Sequence, residues 1–230
     1  LPYPSVKLTI IVPAFNEERT VGRVIERVLA LPIDKEILVV DDGSTDRTWE
    51  VLKRFEGRPA LRLLRHDKNQ GKGAAIRTAL AQMSAEAVSI QDADDELDPN
   101  EMPLLFALIE QGRADVVFGT RHLNGQSPHT IYYWGDRILT WIFNVLYGQA
   151  ITDLYNGYKI FRREAIQSIT LKSRGFEFEA ESAAKIAKKG YVIHELPVSY
   201  RPRSREAGKK INWKDAFKGL WTILKYRFSD

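Results

Sequence analysis

The chain has 230 residues, 44% hydrophobic and 28% charged, which is the balance of a soluble globular protein with a sizeable core. Because it has no cysteine, disulfides and thiolate metal sites are excluded, and its four histidines lack the spacing of metal ligands. The net charge is +4, and no segment reaches the roughly 18 to 20 apolar residues of a transmembrane helix. The N-terminus lacks the pattern of a signal peptide, so we expect a cytoplasmic protein.

The first half of the chain alternates short apolar runs with amphipathic stretches. This β-α-β-α order predicts an α/β fold, in which a mainly parallel sheet is covered by helices on both faces. Ligands of such sheets bind at the carboxyl ends of the strands, so the residues that follow each strand are the candidates for a site. Strands are predicted at 8–15, 36–44, 61–66, 87–94 and 115–121, and helices at 17–31, 45–55, 71–83 and 99–112.

The second half is less regular. Residues 131–148 form an aromatic-rich amphipathic stretch, and 156–166 are predicted as a strand that enters a helix. A helix at 178–191 is predicted to end at Gly190, and 192–203 is predicted as a strand whose C-terminal end is basic. No repeat or low-complexity linker is present, so one domain with a C-terminal elaboration is the simplest prediction.

The stretch QDADDELDP places five carboxylates within seven residues after the fourth predicted strand. Asp92 and Asp94 are separated by one residue, and in a continuing strand such side chains point the same way and can share one cation. Oxygen ligands in this number suit Mg²⁺ or Mn²⁺, which would neutralise the pyrophosphate of a nucleotide. The alternative is an acidic loop in which Asp98 caps the helix that starts at Pro99.

Two other loops carry weaker signals. In VVDDGSTD, an acid at the mouth of the second strand predicts hydrogen bonds to ribose hydroxyls or a base edge. The alternative is a turn in which Thr45 or Asp46 caps the next helix. In NQGKGAAIRTAL, Lys72 predicts a phosphate contact, and Gly71 and Gly73 permit close approach of the backbone. The spacing differs from a Walker A motif, and a simple glycine turn explains this loop equally well.

Together these segments resemble a known family. IIVPAFNEE, VVDDGSTD, NQGKGAA, QDADDELDP and GTR occur in the order and spacing of family-2 glycosyltransferases, which have the Rossmann-like GT-A fold. YNGYKIFRREAI, RGFEFEAESAAKIAKKGY and the segment that starts at ELPVSYRPRS resemble the polyprenyl-phosphate glycosyltransferases, the dolichyl-phosphate mannose synthase group. The resemblance covers nearly the whole chain. It implies one GT-A domain at 1–230, with a nucleotide-sugar half at 1–121 and an acceptor half with C-terminal amphipathic helices at 122–230.

The resemblance implies roles for particular residues. Phe15 stands where the family more often has Tyr, and Glu96 stands where the synthases often have a Gln that faces the metal. The second change would strengthen metal binding or alter the donor preference. The implied donor-binding residues are Pro13, Phe15, Asn16, Glu17, Asp42 (Asp41 being the less favoured acid), Lys72, Asp92 and Asp94. The implied metal ligands are Asp92, Asp94 and Glu96. The residues implied to bind the acceptor phosphate are Arg121, Arg137, Arg201, Arg203 and Lys209, and the implied catalytic residues are Asp94, Arg121 and Arg137.

The implied reaction is the inverting, metal-dependent transfer of a sugar from a nucleotide-sugar to a polyprenyl or dolichyl phosphate. GDP-mannose is the first expectation for the donor, and a UDP-sugar is the alternative. Because the acceptor phosphate is already ionised, its oxygen needs no strong general base, and arginines would hold the two phosphorylated reactants together. If a base is used, Asp153 and Glu179 are the candidates. The alternative function uses a UDP-sugar and a hydroxyl acceptor, for which the second half lacks a clear catalytic acid.

Two segments predict contact with a membrane. Residues 131–147 combine aromatic side chains with Arg137, and 201–225 is strongly basic, which suits an anionic lipid surface. We therefore expect peripheral attachment at the cytoplasmic face, by the chain itself or through a membrane subunit. The alternative is a buried helix that pairs with a C-terminal helix at 213–228. A nucleic-acid partner is not expected, because the chain has an acidic cluster and no nucleic-acid-binding motif.

Overall fold

A computed structural model of the chain describes residues 7–122, 131–202 and 213–229. The strands in these ranges are β1 Leu8–Ala14, β2 Lys35–Asp41, β3 Leu61–Arg65, β4 Ala87–Ile90, β5 Val116–Thr120, β6 Lys159–Arg162 and β7 Ile193–Pro197. The helices are α1 Val21–Leu29, α2 Thr48–Lys53, α3 Lys72–Leu80, α4 Met102–Glu110, α5 Ile131–Tyr147, α6 Arg163–Gln167, α7 Phe178–Lys188 and α8 Trp213–Phe228. The predicted order of elements is confirmed, and most elements are shorter than predicted by a few residues.

The strands form one seven-stranded sheet in the order β3-β2-β1-β4-β6-β5-β7. All neighbouring pairs are parallel except those of β6, which is antiparallel to both β4 and β5. This confirms the mainly parallel sheet. The strand order reverses beside β1, so the crevice between the ends of β1 and β4 is the switch point where such sheets bind ligands. Since β6 runs the other way, the residues that precede it lie at this same edge.

Helices cover both faces of the sheet. Successive residues of a strand point to opposite faces, so each strand contributes to two cores. Ile10 packs in one core with α1, α2 and α4, whereas Ile11, the next residue, packs in a second core with α3, α5, α6, α7 and α8. The strands β1, β2, β4 and β5 are accordingly buried along almost their whole length. Their continuous apolar sequences follow from this arrangement.

The two predicted helix caps differ in outcome. Asp98 accepts the backbone N–H of Asn100 at 2.9 Å and caps the short 3-10 turn that leads into α4, as predicted. The helix α2 begins at Thr48, so neither Thr45 nor Asp46 occupies the cap position directly before it. The Asp46 carboxylate still accepts the backbone N–H of Thr48 at 2.9 Å and satisfies a donor of the first turn.

The helices α5 and α8 pack against each other. Phe143 of α5 and Ile223 of α8 are fully buried in the same core, and Tyr147 Oη donates a hydrogen bond to the carbonyl oxygen of Ile223 at 2.7 Å. The two helices therefore pair with each other, as the alternative interpretation of residues 131–147 requires. Within the described ranges, every helix is too short or too polar to cross a bilayer.

Candidate active site

The loops after β1 and β2 hold each other at the carboxyl edge of the sheet. Asn16 has a φ of +52°, donates its backbone N–H to Ser44 Oγ at 3.0 Å and accepts the N–H of Thr45 on Oδ1 at 2.8 Å. The backbone N–H of Glu17 donates to Thr48 Oγ1 at 2.7 Å. The structure thus places four of the predicted donor-binding residues together at this edge: Pro13, Phe15, Asn16 and Glu17.

Asp42 fixes the glycine-rich loop that precedes α3. Its Oδ1 accepts the backbone N–H of Gln70 at 2.9 Å and lies 2.6 Å from His66 Nδ1, and its Oδ2 accepts the N–H of Gly71 at 2.7 Å. These bonds from a buried carboxylate set the start of α3 and hence the position of Lys72. The contact between Asp42 and a nucleotide stays a prediction, and both of its oxygens already serve this loop.

The two glycines of this loop permit close packing against the segment before α7. Gly71 has a φ of +97°, and a Cβ on it would lie 2.3 Å from the carbonyl oxygen of Arg174. A Cβ on Gly73 would lie 2.6 Å from the carbonyl oxygen of Ser173. In this structure the two glycines therefore allow the chain's own backbone, at Ser173 and Arg174, to approach this loop closely.

Lys72, the first residue of α3, lies between two carboxylates. Its Nζ is 2.7 Å from Asp92 Oδ1, after β4, and 2.9 Å from Glu179 Oε1, in the first turn of α7. Glu179 Oε2 lies 2.7 Å from Lys159 Nζ, in the geometry of an ion pair rather than of a directed hydrogen bond. Burial lowers the pKa of Lys72, but the two carboxylates outweigh it and raise this pKa above its ordinary value. We call these four residues the lysine cluster.

The loop after β4 is attached to the segment after β7. Asp94 Oδ1 accepts the backbone N–H of Glu96 at 3.2 Å, and the carbonyl oxygen of Glu96 accepts the N–H of Arg201 at 2.9 Å. Burial, followed by the hydrogen-bonded Glu96 carboxylate, raises the pKa of the Tyr200 hydroxyl. The centre of the Tyr200 ring lies 5.1 Å from Cζ of Arg121, within the range of a cation–π contact.

The carboxylate of Asp92 already has a cation beside it, the Lys72 ammonium at 2.7 Å. A Cβ on Gly157 would lie 2.4 Å from Asp92 Oδ2, so the missing side chain at Gly157 makes room for this carboxylate. Oxygen ligands here fit Mg²⁺ or Mn²⁺, with Asp94 and Glu96 on the same loop. Among the described residues these three carboxylates do not bring their oxygens within 4.8 Å of one another. Such an open set suits a cation that also binds substrate phosphate and water.

Arg121, directly after β5, is held by Asp153. The carboxylate of Asp153 accepts hydrogen bonds from the Arg121 backbone N–H at 2.9 Å and from Nε and Nη2 at 2.7 Å each. Arg121 Nη2 also lies 3.4 Å from Asp136 Oδ2 of α5, which is 2.9 Å from Nε2 of His122. We call these four residues the arginine cluster. A guanidinium with a bidentate carboxylate partner has a fixed orientation.

The two acids of the arginine cluster have pKa values shifted in opposite directions. Burial raises the pKa of Asp153, but the adjacent Arg121 guanidinium outweighs this and holds it well below its ordinary value. Burial and the neighbouring Asp153 carboxylate raise the pKa of Asp136. His122, Asp136 and Asp153 are the one group in the described ranges whose ligand atoms lie within 4.8 Å of one another. Since Arg121 already supplies positive charge there, we assign no metal to this group.

Of the four remaining residues predicted to bind the acceptor phosphate, the structure describes Arg137 and Arg201. Arg137 of α5 is exposed, and its Nη1 lies 3.4 Å from the carbonyl oxygen of Thr152, beside the arginine cluster. Arg201 is also exposed. Arg203 and Lys209 lie outside the described residues.

The helices α5 and α8 expose large apolar side chains on the faces that they do not share. On each helix these side chains recur at intervals of four, three and four residues, so they form one stripe per helix. We call the two stripes the apolar face, and the exposed fractions of its residues run from 37% to 82%. The residues of the apolar face are Trp134, Ile138, Trp141 and Val145 on α5 and Phe217, Trp221, Leu224 and Phe228 on α8.

Several residues of this edge were not predicted. Gly157 precedes β6, and Lys159 is its first residue. Because β6 is antiparallel to its neighbours, its start lies at this edge, and the rule that site residues follow strands does not identify these two residues. His66 directly follows β3, so the same rule could have identified it. The unpredicted residues are His66, His122, Asp136, Gly157, Lys159 and Tyr200.

Residues 9–170 match Glycosyl transferase family 2. The structure of glucosyl-3-phosphoglycerate synthase from Mycobacterium tuberculosis, in complex with Mn²⁺, UDP and phosphoglyceric acid, aligns with a TM-score of 0.74 at 19% identity. The alignment covers 98% of this chain and 80% of that chain. The fold is therefore the GT-A fold. The chain belongs to Glycosyl transferase family 2, as the sequence motifs predict.

Three curated relatives share between 26% and 31% identity with the chain. The low-salt glycan biosynthesis hexosyltransferase Agl6 of Haloferax volcanii is 31% identical over 87% of this chain and 49% of its own length. A dodecaprenyl-phosphate galacturonate synthase of Rhizobium johnstonii is 28% identical over 90% of this chain and 63% of its own length. A dolichol-phosphate mannosyltransferase of Pyrococcus furiosus is 26% identical over 96% of this chain and 63% of its own length. The chain thus spans about half to two thirds of the length of these relatives.

Proposed function

We propose that the chain transfers a sugar from a nucleotide-sugar to a polyprenyl phosphate, with inversion at the anomeric carbon. The observation that carries this proposal is the attachment of the arginine cluster to the loop of Asp92 and Asp94. Tyr200 links the two, since its hydroxyl contacts Glu96 and its ring lies 5.1 Å from Cζ of Arg121. An oriented arginine beside a carboxylate loop suits a site that receives two phosphorylated reactants.

The donor would lie at the carboxyl ends of β1, β2 and β4. Asp92, Asp94 and Glu96 would hold Mg²⁺ or Mn²⁺, and the bound cation would neutralise the leaving nucleoside diphosphate. Lys72 would contact the same diphosphate from the start of α3. Arg121 would orient the acceptor phosphate, so that both reactants are held in one geometry.

The names of two relatives support a polyprenyl-phosphate acceptor and differ in the sugar. The Rhizobium johnstonii protein is a dodecaprenyl-phosphate galacturonate synthase, and the Pyrococcus furiosus protein is a dolichol-phosphate mannosyltransferase. We therefore propose mannose from GDP-mannose as the first donor to test and a UDP-sugar as the second.

The reaction needs no strong general base, because a phosphate monoester is already ionised at neutral pH. Both carboxylates considered as bases are engaged in ion pairs: Asp153 with Arg121, and Glu179 with Lys72 and Lys159. A phosphate oxygen would attack the anomeric carbon while the bond from that carbon to the nucleoside diphosphate breaks. Displacement from the opposite side inverts the anomer.

The apolar face supports a lipid acceptor. Its tryptophans and phenylalanines are exposed beside Lys218, Lys225 and Arg227, which are exposed on α8 as well. Aromatic side chains with flanking cations suit the interface of an anionic membrane. We propose that the chain makes peripheral contact with a membrane through this face, close to the lipid that accepts the sugar.

The alternative function is transfer from a UDP-sugar to a hydroxyl acceptor in polysaccharide or glycoconjugate synthesis. A hydroxyl must lose its proton during attack, which calls for a carboxylate whose pKa lies above its ordinary value. Asp136 favours this alternative, since burial and Asp153 raise its pKa.

Product formation distinguishes the two functions. The protein is incubated with Mg²⁺ or Mn²⁺, a short polyprenyl phosphate and, in parallel, GDP-mannose, UDP-glucose or UDP-GlcNAc. We expect lipid-linked sugar from one donor and its loss in Asp94→Ala. Absence of lipid product with every donor, while nucleotide still binds, would overturn the lipid-phosphate acceptor and favour the hydroxyl acceptor.

A further inference from the structure

We propose that Lys72 exchanges partners during donor binding. In the free protein its ammonium group neutralises Asp92, and when the donor arrives it moves to the diphosphate and leaves Asp92 to a divalent cation. Nucleotide and metal ion would therefore bind cooperatively, and Lys72 would couple the two binding events. This inference rests on the proposed function, since it assumes a nucleoside diphosphate at this edge.

The first support is the arrangement of charge. Lys72 Nζ lies within 3 Å of one oxygen each of Asp92 and Glu179, and Lys159 lies beside the other oxygen of Glu179. Two cations and two anions thus alternate and cancel. A divalent cation that joined Asp92 in this state would lie against the Lys72 ammonium, and like charges at such a separation repel. Lys72 has to leave before Asp92 becomes a good metal ligand.

The second support is the difference between the two ends of the lysine cluster. The Lys159 side chain is fully buried, and its Nζ donates to the carbonyl oxygens of Leu154 at 3.0 Å and Asn156 at 2.5 Å. That end is fixed. At the other end, the side chain of Asp92 is 24% exposed and that of Lys72 is 12% exposed. Ligands can therefore reach the contact between Lys72 and Asp92.

The third support is the chemistry of lysine. Its ammonium is a compact point charge on a flexible four-carbon stem, so it can turn from one anion to another without a change in the backbone. The start of α3 stays in place meanwhile, because Asp42 accepts the N–H groups of Gln70 and Gly71. Glu179 remains as a second anion that keeps the ammonium at this edge during the exchange.

The binding of Mn²⁺ to the free protein, measured by electron paramagnetic resonance without donor or acceptor, tests this exchange. Lys72→Met removes the charge and keeps a side chain of similar length. We expect it to raise the affinity for Mn²⁺ about tenfold in the absence of nucleotide. GDP or UDP should tighten Mn²⁺ binding in both proteins, because the diphosphate supplies oxygen ligands, and the tightening should be about tenfold greater in the wild type than in the variant. Lys68→Met, at an exposed lysine of the same loop, is the control that should leave both affinities unchanged.

A second variant gives a change of opposite sign. Glu179→Gln removes the competing anion, so Lys72 should bind Asp92 more firmly and the Mn²⁺ affinity of the free protein should fall. A purely structural role would move both variants in the same direction, and that result, or an unchanged affinity in Lys72→Met, would overturn the proposal. The outcome is separate from that of the proposed function, because Mn²⁺ binding to the free protein requires no sugar transfer.

Discussion

The two charged clusters at the carboxyl edge of the sheet are built around different cations. In the lysine cluster, Lys72 makes one contact with each of two carboxylates, and the side chain of Asp92 is 24% exposed. In the arginine cluster, Arg121 makes three hydrogen bonds with Asp153, whose side chain is fully buried. A flexible point charge can change partners, whereas a guanidinium fork on a buried carboxylate cannot do so easily. The first cluster is suited to exchange, and the second is suited to keep its geometry.

The largest expected effect is on catalysis and concerns the loop beside the lysine cluster. Asp94→Ala should slow sugar transfer by roughly 10³-fold, because loss of electrostatic stabilisation at the leaving group amounts to several kcal/mol. Initial rates at saturating donor measure it. Asp95→Asn is the control, since Asp95 forms ion pairs with Arg23 and Arg27 instead. Equal losses in both variants would mean that only the total charge of the loop matters.

The second effect compares the clusters directly through the free energy of unfolding in urea. Arg121→Met leaves the buried carboxylate of Asp153 without its bidentate partner and should cost about 3 to 5 kcal/mol. Lys72→Met should cost roughly 1 to 2 kcal/mol, because Asp92 is partly exposed and Glu179 keeps its contact with Lys159. Equal costs would contradict the distinction between a fixed and an exchangeable cluster.

The third effect concerns the proposed contact between the apolar face and a membrane. Trp141→Ser or Trp221→Ser should weaken binding to anionic phospholipid vesicles by about tenfold each, since each removes the burial of one large side chain. Co-sedimentation with vesicles measures this, while nucleotide affinity should stay the same. Leu104→Ser is the matched control, because Leu104 is 62% exposed on α4, which covers the opposite face of the sheet. An equal loss in the control would indicate non-specific adsorption.

The smallest effect is a pH dependence of the arginine cluster. The folded pKa of Asp153 lies below its unfolded value of roughly 3.9, so its contribution to stability is complete above that value and is lost as the pH falls below it. Between about pH 6 and about pH 3.5, the difference in unfolding free energy between wild type and Asp153→Asn should shrink by roughly 0.5 to 1 kcal/mol. A constant difference would show that Arg121 does not lower this pKa.

The order of the elements was predictable because β1, β2, β4 and β5 are continuous apolar runs and because amphipathic helices such as α1 separate them. The same pattern located Asn16, Asp42, Asp92 and Arg121, since each follows a parallel strand within two residues. The pattern could not show that β6 is antiparallel, because an apolar run carries no information about its direction in the sheet.

That missing direction explains what the sequence did not reveal about the site. Asp153 appeared only as a candidate base, and Gly157 and Lys159 were not predicted, because all three reach the carboxyl edge from the amino end of β6. Likewise, the spacing of Lys72 and Glu179 along the chain gives no sign that their side chains meet at 2.9 Å. Contacts between distant segments depend on the topology, which local patterns do not determine.

The central claim is that a phosphate oxygen accepts the sugar. The most direct measurement compares transfer from one active donor to a polyprenyl phosphate and to the polyprenyl alcohol of the same length. Our account predicts product with the phosphate alone, with the anomer inverted, because Arg121 would orient the phosphate and the buried Asp153 is paired with Arg121. Transfer to the alcohol at a comparable rate would contradict the account and identify the chain as a hydroxyl glycosyltransferase.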